Sequence, residues 1–116
     1  MVIKIIKEPI SLDQLRKIAQ DQFGDFVKAV VDVEREVMAI GGELHADEEV
    51  WLTENEGSKR QDTWGINLYW ERSGDDLIEF DSMINLKPAL GNRSRGVENS
   101  QTREKIKSIV KKLISK

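Results

Sequence analysis

The chain has 116 residues, 39% hydrophobic and 34% charged, a length and composition that suit one soluble domain over residues 1–116 with a single core. It has no cysteine, which excludes disulfides, thiolate-bound zinc, iron-sulfur clusters and thiol catalysis, and a cytoplasmic home is expected. The formal charge of −3 conceals a division: from Lys87 to Lys116 nine Lys or Arg face only Glu98 and Glu104, a net of +7 that leaves −10 for the rest.

Val2 to Ile6 is an apolar run cut by Lys4, too short for a membrane or secretory segment, and reads as a strand that ends at Pro9. Ser11 and Gln14 have the spacing of a capping box, in which each side chain serves the other residue's backbone N–H. A helix is expected to follow, with Leu12, Leu15, Ile18, Ala19 and Phe23 as its apolar stripe and Gly24 as its stop.

Residues 26–40 carry two conflicting signals. Phe26, Val30, Val33, Val37 and Ile40 fit a helical period, whereas five valines between Val27 and Val37 favour a pleated surface and Glu34-Arg35-Glu36 suits a turn. The valines decide for two strands, Val27 to Glu34 and Val37 to Gly41. A short acidic helix is expected from Ala46 to Glu54, then a polar mobile loop from Asn55 to Asp62.

Trp64 to Trp70 alternates, with Ile66, Leu68 and Trp70 on one face and Gly65, Asn67 and Tyr69 on the other. Ser73 to Asp76 is a turn, and Leu77 to Asn85 is expected to complete a hairpin. Pro88 to Val97 reads as a long loop, and the chain closes on an amphipathic helix from Ser100 with Ile106, Ile109, Val110, Leu113 and Ile114 as its stripe. The order β-α-β-β-α-β-β-α predicts an α+β, two-layer fold, a mainly antiparallel sheet of about five strands with helices packed on one face.

Two loops gather candidate binding residues. Glu43, His45 and Asp47 set the one histidine among carboxylates beside Gly41-Gly42, a grouping that serves either proton transfer, a divalent ion, or simply the start of a helix. Asn85, Asn92, Arg93 and Arg95 lie among glycines, where arginine forks and free amides recognise phosphate or carboxylate, although neither common nucleotide fingerprint is present. Strand alternation puts Asn67 and Tyr69 on one face and Glu79, Asp81 and Met83 on one face of the partner strand. The tryptophans Trp51, Trp64 and Trp70 are not interleaved with basic residues, so they read as core or lid rather than as base-stacking platforms.

Phe26 to Glu34, Gly41 to Asp47, Trp64 to Tyr69, Ile78 to Phe80, Ile84-Asn85 and Gly91 to Ser94 together resemble a family of short prokaryotic proteins, domain of unknown function 5674. The resemblance covers nearly the whole chain. It implies a prokaryotic, stand-alone small protein and a turn near Glu36, where similar sequences carry glycine. It supplies no catalytic, metal or cofactor residue.

The expected function is a small binding or accessory protein that holds a small anionic ligand or a protein partner through the two loops. An alternative is an RNA-associated, nuclease- or toxin-like protein using the +7 segment, against which the acidic middle weighs. A second alternative is a hydrolase with a metal held by His45 and carboxylates. A homodimer through an open sheet face is compatible with each reading, and cofactors remain open.

Overall fold

The computed structural model describes residues 2–115. Strands β1 (Lys4–Ile6), β3 (Phe26–Asp32), β4 (Val37–Ile40), β5 (Thr63–Tyr69) and β6 (Ile78–Glu79) form an antiparallel sheet in the order β1-β4-β3-β5-β6. A second, two-stranded sheet pairs β2 (Ile10–Ser11) in parallel with β7 (Ile114–Ser115). The helices are α1 (Leu12–Gln20), α2 (His45–Glu56) and α3 (Ser100–Leu113).

Alternation along the strands divides the apolar residues between two faces. Val27, Ala29 and Val31 of β3, Met38 and Ile40 of β4, and Trp64, Ile66 and Leu68 of β5 meet Leu15 and Ala19 of α1 and the Ile106, Ile109, Val110 and Leu113 stripe of α3. Each fully buried Val, Leu, Ile or Met among them contributes roughly 1.5–3 kcal/mol, so this face dominates the stability. The expected antiparallel α+β architecture is present, and helices sharing one face describes α1 and α3. Helix α2 lies on the opposite face, where Leu52 covers Val30, Val37 and Ala39.

The capping box forms as read: Ser11 Oγ accepts the Gln14 N–H at 3.1 Å while Gln14 Oε1 accepts the Ser11 N–H at 2.9 Å. Residues 26–40 are a hairpin, with Asp32 paired to Val37 at its end. The first strand stops at Asp32 because that buried carboxylate turns back into the connection. Its Oδ1 accepts the Glu34 and Arg35 amides at 2.9 and 3.0 Å, and its Oδ2 accepts Ser58 Oγ at 2.6 Å. The segment after α2, expected as a mobile loop, is thereby tied to the hairpin turn through Ser58.

Three other expectations need correction. Helix α1 ends at Gln20, before Phe23, which instead stacks on Phe26 with ring centroids 4.8 Å apart. The predicted strand Leu77 to Asn85 shortens to Ile78–Glu79, because the chain leaves β5 and the Ser82 N–H turns to the Arg95 carbonyl at 2.9 Å. Ile114 belongs to β7 rather than to α3, although it still packs on the main core.

Candidate functional site

Helix α2 has acids in its first turn and ends on Gly57 in the left-handed conformation (φ 71°), so both ends follow from local chemistry. Its orientation does not follow from hydrophobicity. Residues 45, 48, 49 and 52 face the sheet, so His45, Glu48 and Glu49 are buried alongside Leu52, the one buried apolar side chain of the helix. The opposite stripe, at residues 47, 50, 51 and 54, presents Asp47, Val50, Trp51 and Glu54 to solvent. The helix thus buries two glutamates and leaves its tryptophan 43% exposed.

Each buried polar group has a partner, distant in the chain for His45 and Glu49 and in the preceding turn for Glu48. His45 Nε2 donates to the Ile66 carbonyl at 2.8 Å, and burial holds the imidazole pKa below its ordinary value. Glu48 Oε2 accepts the Gly42 N–H at 3.0 Å, while Oε1 has no partner; burial raises this carboxyl well above its ordinary value. Glu49 Oε2 accepts Thr63 Oγ1 at 2.6 Å and lies 3.9 Å from Lys87 Nζ. Burial lowers the Lys87 pKa against the opposing pull of Glu49, and the ammonium sits 5.3 Å above the Trp64 ring.

The segment following β6 flanks α2 on the same side of the sheet, with Ile84 packed in the Leu52 cluster. It too exposes large apolar side chains, Met83, Leu86 and Leu90, as α2 and its N-cap expose Val50, Trp51 and Leu44. These six account for most of the exposed large hydrophobics among the described residues.

The residues singled out from sequence are distributed as follows. Asn85 and Asn92 are buried and spend their amides on backbone: Asn85 on Gly65 and the Arg95 carbonyl, Asn92 on the carbonyls of Asn85 and Gly96 and on the Glu98 N–H. Arg95 pairs with Asp81 at 2.7 Å, and the Arg93 backbone N–H donates to Glu98 at 2.7 Å. Asn85, Asn92, Arg93 and Arg95 therefore share one compact loop. His45 belongs to the sheet side of α2, Asp47 is exposed in its first turn, and exposed Glu43 helps line a surface cavity of about 450 Å³ with Phe23 and Leu44. That cavity contains neither His45 nor Arg93.

The polar row on β5 and β6 is present, with Asn67 Nδ2 and the Tyr69 hydroxyl both donating to Glu79 Oε1, at 2.8 and 3.2 Å. Among the described residues, no group of three or more His, Asp or Glu side chains is placed to hold a metal ion. Much of the basic end is answered from within the chain: Lys87 by Glu49, Arg95 by Asp81, Lys107 by Asp75 at 3.3 Å, and Lys112 by Glu36 at 4.0 Å. No described helix is long and apolar enough to cross a membrane.

Sequence reasoning missed Leu44, Val50, Trp51, Met83, Leu86 and Leu90 as surface residues. A signal existed for two of them, since Asp47, Val50, Trp51 and Glu54 form a stripe at helical spacing with apolar residues flanked by acids.

A family described as protein of unknown function (DUF5674) matches residues 4–113. No curated protein and no solved structure matches the chain.

Proposed function

The chain belongs to the DUF5674 family, over nearly its whole length, and from its surface we propose that it is an accessory protein that binds a protein partner through α2 and the 83–90 segment. The observation that carries this reading is the orientation of α2. Burying Glu48 and Glu49 requires desolvating both carboxylates, at a cost of several kcal/mol for each group that stays charged. Rotating the helix would bury Val50 and Trp51 but exchange Glu48 and Glu49 for Asp47 and Glu54, so carboxylate desolvation does not choose the face; the chosen face leaves Val50 and Trp51 outside, as an external apolar contact surface requires.

Trp51 is the natural anchor. Tryptophan is enriched among the few interface residues whose truncation costs about 2 kcal/mol or more, and Met83 and Leu86 add exposed apolar surface from the 83–90 segment. Asp47 and Glu54 bracket the anchor, favouring a partner with Lys or Arg beside its apolar contact. Absence of cysteine fits work in a reducing cytoplasm.

The test is to place a photo-crosslinking amino acid at position 51 in the producing cell and identify the adducts by mass spectrometry. One dominant protein should be captured, and Trp51→Glu should abolish its co-purification while leaving the melting temperature nearly unchanged. If the adduct is a second copy of the chain, light scattering should show a dimer that Trp51→Glu dissociates. No discrete adduct, or co-purification indifferent to Trp51→Glu, would overturn the proposal.

A further inference from the structure

A surface cavity of about 590 Å³ lies away from α2, where α3 passes the turn before β6 and the small β2-β7 sheet. Its volume falls within the roughly 300–1,000 Å³ typical of small-molecule sites. Three separate parts of the fold build its floor: Leu12 opens α1, Leu77 precedes β6, and Val110 and Ile114 come from the end of α3 and from β7. All four also pack on the main core, so the floor is anchored to the part of the molecule that holds the sheet together.

The rim carries charge of both signs, and its ion pairs decide which sign is left over. Asp75 and Glu104 both engage Lys107, at 3.3 and 3.7 Å, a trio of net −1 that the two cations Arg72 and Lys111 outweigh, leaving the lining at +1. Arg72 and Lys111 have no acidic partner among the described residues, and both are exposed at the cavity. The Arg72 guanidinium lies 3.9 Å over the Tyr69 ring, which restrains it without neutralising it. An apolar floor beneath two unneutralised cations, one of them restrained, is complementary to a molecule with an apolar body and one anionic end.

We infer that this groove is a binding site for a free, single-chain amphipathic carboxylate, whose hydrocarbon lies on Leu12, Leu77, Val110 and Ile114 and whose carboxylate meets Lys111 and Arg72. The site stands apart from the partner surface on α2 and rests on separate residues. It also gives part of the basic C-terminal segment a use, since Lys111 is among the cations there that no acid among the described residues answers.

The test uses the full chain with isotopically labelled methyl groups and dodecanoate below its micellar concentration. Saturable shifts are expected at the Leu12, Val110 and Ile114 methyls, with acetate and dodecyltrimethylammonium producing none. Lys111→Glu should weaken dodecanoate binding at least tenfold, and Lys111→Arg should retain it, both with unchanged melting temperature. Equal binding of the cationic amphiphile, binding indifferent to Lys111→Glu, or no saturable shift at those methyls would each overturn the inference. Association only with anionic phospholipid vesicles, without binding of free dodecanoate, would overturn it in favour of a membrane surface.

Discussion

Asn85 binds Gly65 as a neighbouring strand would. Its Oδ1 accepts the Gly65 N–H at 2.8 Å and its Nδ2 donates to the Gly65 carbonyl at 2.9 Å, so one side-chain amide replaces the ladder that β6 abandons after Glu79. Asn85→Ala leaves both backbone groups unpaired in a buried place, at about 1–3 kcal/mol for each group that finds no water. Asn85→Asp should do no better, because a carboxylate has no donor for the carbonyls of Gly65 and Arg95. Urea unfolding checks both variants, and wild-type stability in either would contradict this account.

Gly65 is required by close approach. A Cβ there would stand 2.5 Å from Ser82 Cβ and Oγ and 3.2 Å from His45 Cδ2. Gly65→Ala should therefore destabilise by roughly 1–3 kcal/mol, the usual range for overpacking. Adding Ser82→Gly should recover part of that loss, which a double-mutant cycle would register as a favourable coupling; strict additivity would count against the contact.

Glu48 should make stability fall with rising pH. Its carboxyl is raised well above 4.5 by burial, so above pH 4.5 the folded protein keeps a proton that the unfolded chain has released. The contribution is fully present below 4.5 and is lost as pH rises through the folded value. Glu48→Gln can still accept the Gly42 N–H and does not titrate, so it should gain on the wild type above pH 4.5, by at most about 1.4 kcal/mol per pH unit. Parallel stability curves for the two proteins would show that Glu48 ionises without penalty.

His45 acts in the opposite direction. Burial lowers its pKa below 6.5, so its neutral ring contributes fully above pH 6.5, and this contribution is lost as pH falls through the folded value. The imidazole resonances should titrate below pH 6.5 in NMR. His45→Gln should flatten the acid side of the stability profile, and a titration at or above 6.5 would refute the assignment.

Glu36 holds a φ of 57° in the β3-β4 turn, a conformation that costs a residue with a side chain roughly 1 kcal/mol and glycine almost nothing. Its ion pair with Lys112 is long and exposed and worth little. Glu36→Gly should raise stability by up to about 1 kcal/mol in thermal unfolding, whereas Glu36→Val should lower it.

Much of the fold was legible because it rests on local chemistry. The Ser11-Gln14 box, the valine-rich hairpin, the alternation from Trp64 to Tyr69 and the stripe from Ile106 to Leu113 all appear as written. The failures involve side chains that stand in for backbone. Asn85 and Asn92 looked like ligand hardware because the amide chemistry that grips a carboxylate also satisfies a carbonyl and an N–H, and only the path of the surrounding loop selects between them. The β2-β7 pair spans two residues on each side, too short for any periodic signal, and joins positions more than a hundred residues apart.

What the sequence by itself determined is the three helices, the longer strands and their order, the main apolar face and the separation of charge into an acidic body and a basic end, because spacing, capping and composition act over a few residues. Tertiary structure decided which way α2 faces and where the surplus charge goes. Both stripes of that helix mix charged and apolar residues at the same spacing, and the choice depends on Gly42, Thr63 and Ile66 arriving with the partners that make Glu48, Glu49 and His45 tolerable inside. The same assembly sets Lys87, Arg95, Lys107 and Lys112 against acids elsewhere in the chain and leaves Lys111 and Arg72 at the rim of an apolar groove. Ion pairing follows distance in space, which no count along the chain contains.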